Sequence, residues 1–452
     1  MGDTIAAIAS GHQVAAIGIV RMSGEQSIVY AQRLFTPSFG GTLSEQKDRK
    51  LVFGELRDVK GQLLDLCLCT ISRAPGSYTG ENTVEFQCHG SPMLLRTLLD
   101  NLFRLGARQA GPGEFTKRAF LNGRMDLSSA EAVIDLIDAE TEEAVRNAAG
   151  QLSGAIHRKA ESVYSMLADV SAHFHAVLDY PDEDIEEFRL RDYCEKLRNG
   201  RNTLKTLLNS FDHGQIMNSG IPTAIIGLPN AGKSSLLNAL LGYERAIVTE
   251  VPGTTRDTVE ERVRLGGVTL RLIDTAGIRE TEDRVEKLGV ERSLSAAESA
   301  ALVLAVVDGS REEEAGTAMI LETAERADHA IAVISKSDLP RRLGTLNTSL
   351  PQLHLSSLNG EGLKQLEELI AAMFPAPSVP AGEILTNARQ ADAVKRACES
   401  MEAALLAMEE GNTPDIVLTE TETAMQALGE LTGASIREDI TDRIFSRFCV
   451  GK

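Results

Sequence analysis

Eight residues, Gly227-Leu-Pro-Asn-Ala-Gly232-Lys233-Ser234, follow the apolar run Thr223–Ile226 and open a helix-forming stretch, and they constrain the chain more than any other segment. In that setting G-x-x-x-x-G-K-[ST] is a phosphate-binding loop. Its glycines let main-chain N–H groups wrap phosphates without Cβ clashes, and the helix N-terminus adds positive potential. Lys233 is placed to reach the β- and γ-phosphates and Ser234 to ligate Mg²⁺, with Asn230, Ala231, Gly232 and Ser235 completing the cradle. From Gly220 onward the texture repeats strand, Gly-rich turn and helix, the signature of a parallel α/β sheet. It ends at Phe374–Pro380, a stiff Pro-rich linker.

Further segments follow in the order such a site requires. Leu270-Arg-Leu-Ile-Asp274-Thr275-Ala276-Gly277 puts Asp274 at a strand end, where it can hold the Mg²⁺ shell while the Gly277 N–H meets the γ-phosphate. Between the two, Pro252-Gly-Thr254-Thr255-Arg-Asp257 offers Thr255 as a second Mg²⁺ ligand. Base choice rests on Ala332-Val-Ile-Ser335-Lys336-Ser337-Asp338. A carboxylate accepts N–H bonds from N1 and N2 of guanine, whereas adenine has an acceptor at N1 and no amine at C2, so Asp338 selects GTP over ATP. The usual GTPase pattern is Asn-Lys-x-Asp; here Ser335 replaces the Asn, a departure that bears on affinity and loop rigidity and not on the identity of the base. Ser356-Ser357-Leu358, after another strand-like segment, matches the last guanine loop. A Ras-like enzyme carries Gln after Asp-Thr-Ala-Gly to orient water, but Ile278 stands here. Hydrolysis therefore calls for a carboxylate from farther along, among Glu280, Glu282 and Glu286, and for a cation in place of an arginine finger, which Asn230 could help to bind.

At 452 residues several domains are expected. Residues 1–120 read as α+β, with Ala15–Arg21, Leu63–Ile71 and Thr83–Cys88 as strands and Ser91–Leu105 as a helix. Residues 121–215 read as helical: Met125 to Ala149 contains no Gly or Pro and repeats apolar residues at amphipathic spacing, and the pattern continues to Phe211 with a break at Tyr180-Pro181. The carboxylates of Asp179 to Glu187 suit a solvated helix start better than a metal site. Residues 216–376 form the α/β unit, and 377–452 return to helix, with Glu383 to Glu410 free of Gly and Pro. The expected fold class is multidomain: an α+β N-terminal domain, an all-α domain, and a Ras-like α/β P-loop GTPase domain inserted into the helical one.

The net charge of −19 is uneven: residues 1–120 hold 13 Lys and Arg against 11 Asp and Glu, and every later region is acidic. Phosphate affinity comes mostly from Lys and Arg, so an RNA substrate would need a basic patch or a partner protein. The six cysteines show no framework spacing, which argues for reduced thiols and the cytoplasm. Cys67 and Cys69 in one strand would share a face, favouring buried thiols over a metal site. No apolar run reaches the ~18 residues of a membrane span, and Met1–Ser10 does not read as a secretory signal.

These motifs, with their flanks, resemble the tRNA uridine-5-carboxymethylaminomethyl modification GTPase family (MnmE/TrmE). The resemblance runs through Asp3-Thr-Ile-Ala, Gly18-Ile-Val-Arg21-Met-Ser-Gly, Tyr78-Thr-Gly-Glu81-Asn-Thr-Val-Glu85-Phe-Gln-Cys-His89-Gly, Pro112-Gly-Glu-Phe-Thr-Lys-Arg-Ala-Phe-Leu-Asn122-Gly-Arg124-Met-Asp-Leu and the terminal Phe448-Cys449-Val-Gly-Lys452. It implies a folate-binding N-terminal domain that also forms a homodimer, with Arg21, Glu85, Arg124 and Lys452 contacting 5-formyl- or methylene-tetrahydrofolate. The family often has Lys where Arg124 stands, a change of donor geometry at constant charge. It implies a K⁺-dependent GTPase in which Asn230, Thr249, Val251 and Thr254 hold potassium and Glu286 orients the attacking water. It implies tRNA as substrate, modified at C5 of the wobble uridine, and an FAD-containing partner in a heterotetramer-type complex.

Cys449 allows three readings. Gly451, Lys452 and the lack of a basic cluster argue against prenylation; an ordinary thiol near a chain end remains open; the resemblance implies a functional thiol near the folate. Two other functions stand against the main one. An Era-like RNA or ribosome-assembly switch without modifying activity calls for a basic module after the GTPase unit, but residues 383–452 are acidic. A P-loop ATPase is disfavoured by Asp338.

Overall fold

The computed structural model describes residues 3–11, 13–179, 187–243, 261–265, 268–273, 296–375, 379–435 and 438–451. The chain forms two compact units, one of residues 1–137, 149–204 and 393–452, the other of 138–148 and 205–392.

The first unit opens with β1 (Ile5–Ile8), β2 (Ala15–Ser23), α1 (Ser27–Leu34), β3 (Phe35–Pro37), β4 (Val52–Arg57), β5 (Leu63–Ser72), β6 (Thr83–Gly90), α2 (Pro92–Leu105), β7 (Arg108–Gln109) and α3 (Glu114–Leu121). The strands make one sheet in the order β3-β4-β5-β6-β2-β1-β7, antiparallel apart from the β1–β7 pair. Alternation puts Val20, Met22, Leu56, Cys67, Cys69, Ile71, Val84 and Phe86 on the core side, beneath apolar residues of α1 and α2. Helix α2 has the expected punctuation, Pro92 in its first turn and Gly106 in the left-handed conformation at its end. Cys67 and Cys69 are buried on one face as anticipated, and burial pushes the Cys69 thiol up, against thiolate formation.

Helices follow: α4 (Leu127–Asp138), α5 (Glu142–Leu152), α6 (Ala155–Asp179), α7 (Glu187–Leu208) and α8 (Phe211–Ser219). The single helix expected over Met125 to Ala149 is two. Thr141 Oγ1 accepts the Ala144 N–H at 3.1 Å, and Glu142 and Glu143 fill the first turn of α5, so a polar cap restarts the helix where composition alone shows no break.

The second unit carries β8 (Ile221–Gly227), α9 (Lys233–Tyr243), β9 (Glu261–Leu265), β10 (Val268–Leu272), β11 (Leu302–Asp308), α10 (Thr317–Ala324), β12 (Ala330–Ser335), β13 (Gln352–His354) and α11 (Leu363–Met373). Its sheet runs β13-β12-β11-β8-β10-β9, parallel except for β9. Every residue of β11 and β12 is buried, as parallel strands covered on both faces require. Two apolar clusters lie on the two faces, one around Leu236, Leu304 and Leu366, the other around Ile226, Ala305 and Ile320.

The chain ends in α12 (Ala388–Glu409), α13 (Pro414–Thr432) and α14 (Glu438–Phe445). Helix α12 starts later than Glu383 because Asn387 Oδ1 accepts the Arg389 N–H at 2.9 Å and caps it. Within the first unit α13 packs along α6, where His175 and Glu422 meet at 3.0 Å, and Arg198 and Arg201 of α7 pair with Glu409 and Glu402 of α12. Phe445 and Phe448 pack on Leu127 and Phe120. The tail after Phe448 runs against the N-terminal domain, where Val450 bridges Pro112 and a Cβ on Gly451 would strike Ile8 O at 2.4 Å. The α+β, all-α and α/β components expected from the sequence are all present. Among the described residues, no helix is long and apolar enough to cross a membrane.

Candidate functional site

The loop between β8 and α9 has the backbone its sequence demands. Gly232 sits at φ +103 and Asn230 at φ +60, so two left-handed residues turn the chain back over the strand end. A Cβ on Gly227 would meet Val306 O at 2.5 Å, so close approach requires glycine there, while at Gly232, where a Cβ would lie 3.2 Å from Ser335 Oγ, the positive φ adds to a tight fit. Lys233 curls back to donate to Gly227 O and Leu228 O, both at 2.8 Å. Burial pushes its pKa down. Ser234 and Ser235 continue into the first turn of α9, Ser235 exposed and Ser234 half-buried.

The base-reading segment leaves the end of β12 and lies against this loop. Ser335, where GTPases usually carry Asn, is buried, and its hydroxyl donates to Ala231 O at 2.5 Å with Val307 O 3.2 Å away. The serine hydroxyl therefore ties the base-reading segment to the phosphate loop. Lys336, at φ +58, donates from Nζ to Asn230 O at 3.1 Å and to Asp308 Oδ2 at 2.6 Å. Asp338 is exposed, and its Oδ1 accepts the Ser356 hydroxyl at 2.6 Å, so Ser356 orients the carboxylate. Ser357, half-buried, follows on the same turn, which is closed by Ser356 N–H to Glu361 O at 3.0 Å. Asn230 to Ser235, Ser335, Lys336, Asp338, Ser356 and Ser357 are thus gathered at one end of the parallel sheet. Asp308 was not singled out from the sequence; its only signal there was its place at the end of an apolar strand.

A second cluster lies in the N-terminal domain. Arg21 and Glu85 face each other across β2 and β6, and Arg21 Nε donates to Glu85 Oε1 at 2.7 Å. The guanidinium carbon lies 5.9 Å from the centre of the Tyr78 ring and 5.7 Å from that of Phe115. Tyr78 and Phe115 belonged to the quoted motifs but carried no assigned role. Arg124 is exposed beside Gly80, two residues from Tyr78, with its Cγ 3.4 Å from where a Gly80 Cβ would be. Cys449 is exposed, and its carbonyl accepts the Gly113 N–H at 3.4 Å, two residues before Phe115. An ion pair flanked by two aromatic rings thus lies close to a turn that carries an exposed thiol.

Thr249, Val251, Thr254, Thr255, Asp274, Thr275, Ala276, Gly277, Glu286 and Lys452 lie outside the described residues.

Comparison with known proteins covers both clusters. The family model described as GTP-binding protein TrmE N-terminus matches residues 4–124, and that described as MnmE helical domain matches residues 127–449. The curated tRNA modification GTPase MnmE of Alkaliphilus oremlandii is 41% identical over 460 residues, covering 100% of this chain and 99% of its own length. That of Lachnoclostridium phytofermentans is 42% identical over 462 residues, with 100% and 99% covered, and that of Geobacillus kaustophilus 41% over 463 residues, again with 100% and 99%. With both domain models and the full length in agreement, the chain belongs to the tRNA modification GTPase MnmE family.

Proposed function

We propose that this chain hydrolyses GTP in the service of tRNA modification, and that with an FAD-containing partner it installs a carboxymethylaminomethyl-type group at C5 of the wobble uridine from a tetrahydrofolate one-carbon unit. The observation that carries the nucleotide half is the junction of two loops: Ser335 and Lys336 tie the base reader to the phosphate loop, and the exposed Asp338 is held by Ser356. Asp338 reads guanine, while Lys233 and the amides of Asn230 to Ser235 take the phosphates. Ser234, Thr255 and Asp274 are assigned to Mg²⁺ and its shell; Asn230, Thr249, Val251 and Thr254 to potassium; Glu286 to the attacking water; Thr275, Ala276 and Gly277 to the γ-phosphate. When bound, the two cations offset the charge that develops on the transferring phosphoryl group. Hydrolysis is then much faster in KCl than in NaCl, a comparison of initial rates at equal ionic strength.

In the N-terminal domain Arg21, Glu85, Arg124 and Lys452 are assigned to the folate, with Cys449 as the thiol beside its one-carbon unit, and the same domain to homodimer formation. Support comes from the aromatic-flanked Arg21–Glu85 pair and from the full-length relatives, which are named for tRNA modification. No observation favours an Era-like switch. The deciding experiment is nucleoside analysis of tRNA from a strain lacking this gene: loss of the modified wobble uridine is expected, and an unaltered profile would overturn the modifying role.

A further inference from the structure

Asp308 ends β11 directly opposite Ser335 in the parallel register, and only 8% of its side chain is exposed. Burying a carboxylate costs several kcal/mol unless it is paired, and every partner here belongs to the nucleotide-binding end of the sheet. Oδ1 accepts the Ser310 N–H at 2.9 Å and the Ser310 hydroxyl at 2.6 Å. Oδ2 accepts the Lys336 ammonium at 2.6 Å, with Arg311 Nε 3.6 Å away on the rim. The same ammonium reaches Asn230 O at the crest of the phosphate loop. Lys336 thus spans from the base-reading turn, two residues before Asp338, to the phosphate loop, and a buried anion fixes its far end. Burial pushes the Asp308 carboxyl up, and the bonds from Lys336 and Ser310 outweigh it, leaving it below the usual carboxylate range.

Resting on the guanine-nucleotide reading above, we propose that Asp308 is a positioning residue for the nucleotide: by anchoring Lys336 it holds the phosphate loop and the base reader at the spacing of one bound nucleoside phosphate. Asp338 alone chooses the base. Asp308 sets how long any correctly chosen nucleotide stays, so its loss quickens release of GDP and GTP alike and leaves the preference for guanine over adenine in place.

The test is stopped-flow release of a fluorescent GDP from the full chain carrying Asp308→Asn, Lys336→Met, or both. Asp308→Asn is isosteric and keeps acceptors for Ser310, so release about tenfold faster is expected from the lost charge-assisted bond. The double variant should release no faster than Lys336→Met alone, because both changes break one link. A general structural defect would instead make the effects multiply. If Asp308→Asn lowers the melting temperature, the comparison of the double variant with Lys336→Met decides, because Asp308 acts on release only where Lys336 is present. Release from Asp308→Asn within twofold of the unsubstituted chain, or multiplicative effects in the double variant, would overturn the role of Asp308. Failure of the unsubstituted chain to bind the GDP at all would instead overturn the nucleotide reading on which it rests.

Discussion

Single side chains set the character of both clusters. Ser335 shows how a departure from a pattern can keep its physics: one hydroxyl reaches Ala231 O because Gly232, with no Cβ, lets the strand end approach. Ser335→Ala leaves that buried carbonyl without its donor, at a cost of about 1–3 kcal/mol shared between stability and binding, so GTP affinity should fall by about tenfold in a titration. In the N-terminal domain, Arg108 and Arg118 bracket Glu114 at 2.6 and 3.2 Å. Burial pushes the Glu114 carboxyl up, but bonds from Arg108, the Gly111 N–H and Arg118 outweigh this and hold it below the usual range. Because the folded value is depressed, the stabilisation is fully present above the unfolded value of about 4.3 and is lost as pH falls through the folded one. Glu114→Gln should therefore melt at a lower temperature than the parent at pH 7, with the gap closing below about pH 4.

At the level of elements, the strands and the phosphate-loop helix were legible because alternation, apolar runs and glycine spacing act locally. The parallel strands β11 and β12 announced themselves as uninterrupted Val, Ile, Leu and Ala between polar turns. The break between α4 and α5 was not legible: neither Gly nor Pro marks it, and Thr141 acts as a cap only because its side chain turns back on its own helix start. Thr141→Ala should cost about 1 kcal/mol, seen as a lower melting temperature without change in GTP binding. Asp308 escaped notice for a related reason. A carboxylate after an apolar strand looks like the first residue of a turn, and only the fold brings Lys336, distant in sequence, onto its oxygen. Tyr78 and Phe115 meet Arg21 only because the fold brings β2, the turn before β6 and the start of α3 together.

At the scale of the molecule, the two clusters lie in different units. The parallel sheet carries the nucleotide loops at one end, while the N-terminal sheet, with the C-terminal tail laid against it, carries the aromatic-flanked ion pair and Cys449. The α+β, all-α and α/β components were readable from changes of texture along the chain, and the two sheets and the helices between them carry them out. The acidic balance outside residues 1–120 accords with a partner that supplies RNA-binding surface. All of this depends on one property, a triphosphate gripped by the loop after β8 with its purine chosen by Asp338. It is tested most directly by equilibrium binding of GTP and ATP, with Mg²⁺, to the purified chain and to Asp338→Ala. GTP should bind far more tightly than ATP, and Asp338→Ala should weaken GTP about a hundredfold while leaving ATP unchanged. Equal retention of ATP and GTP by the unsubstituted chain would contradict it.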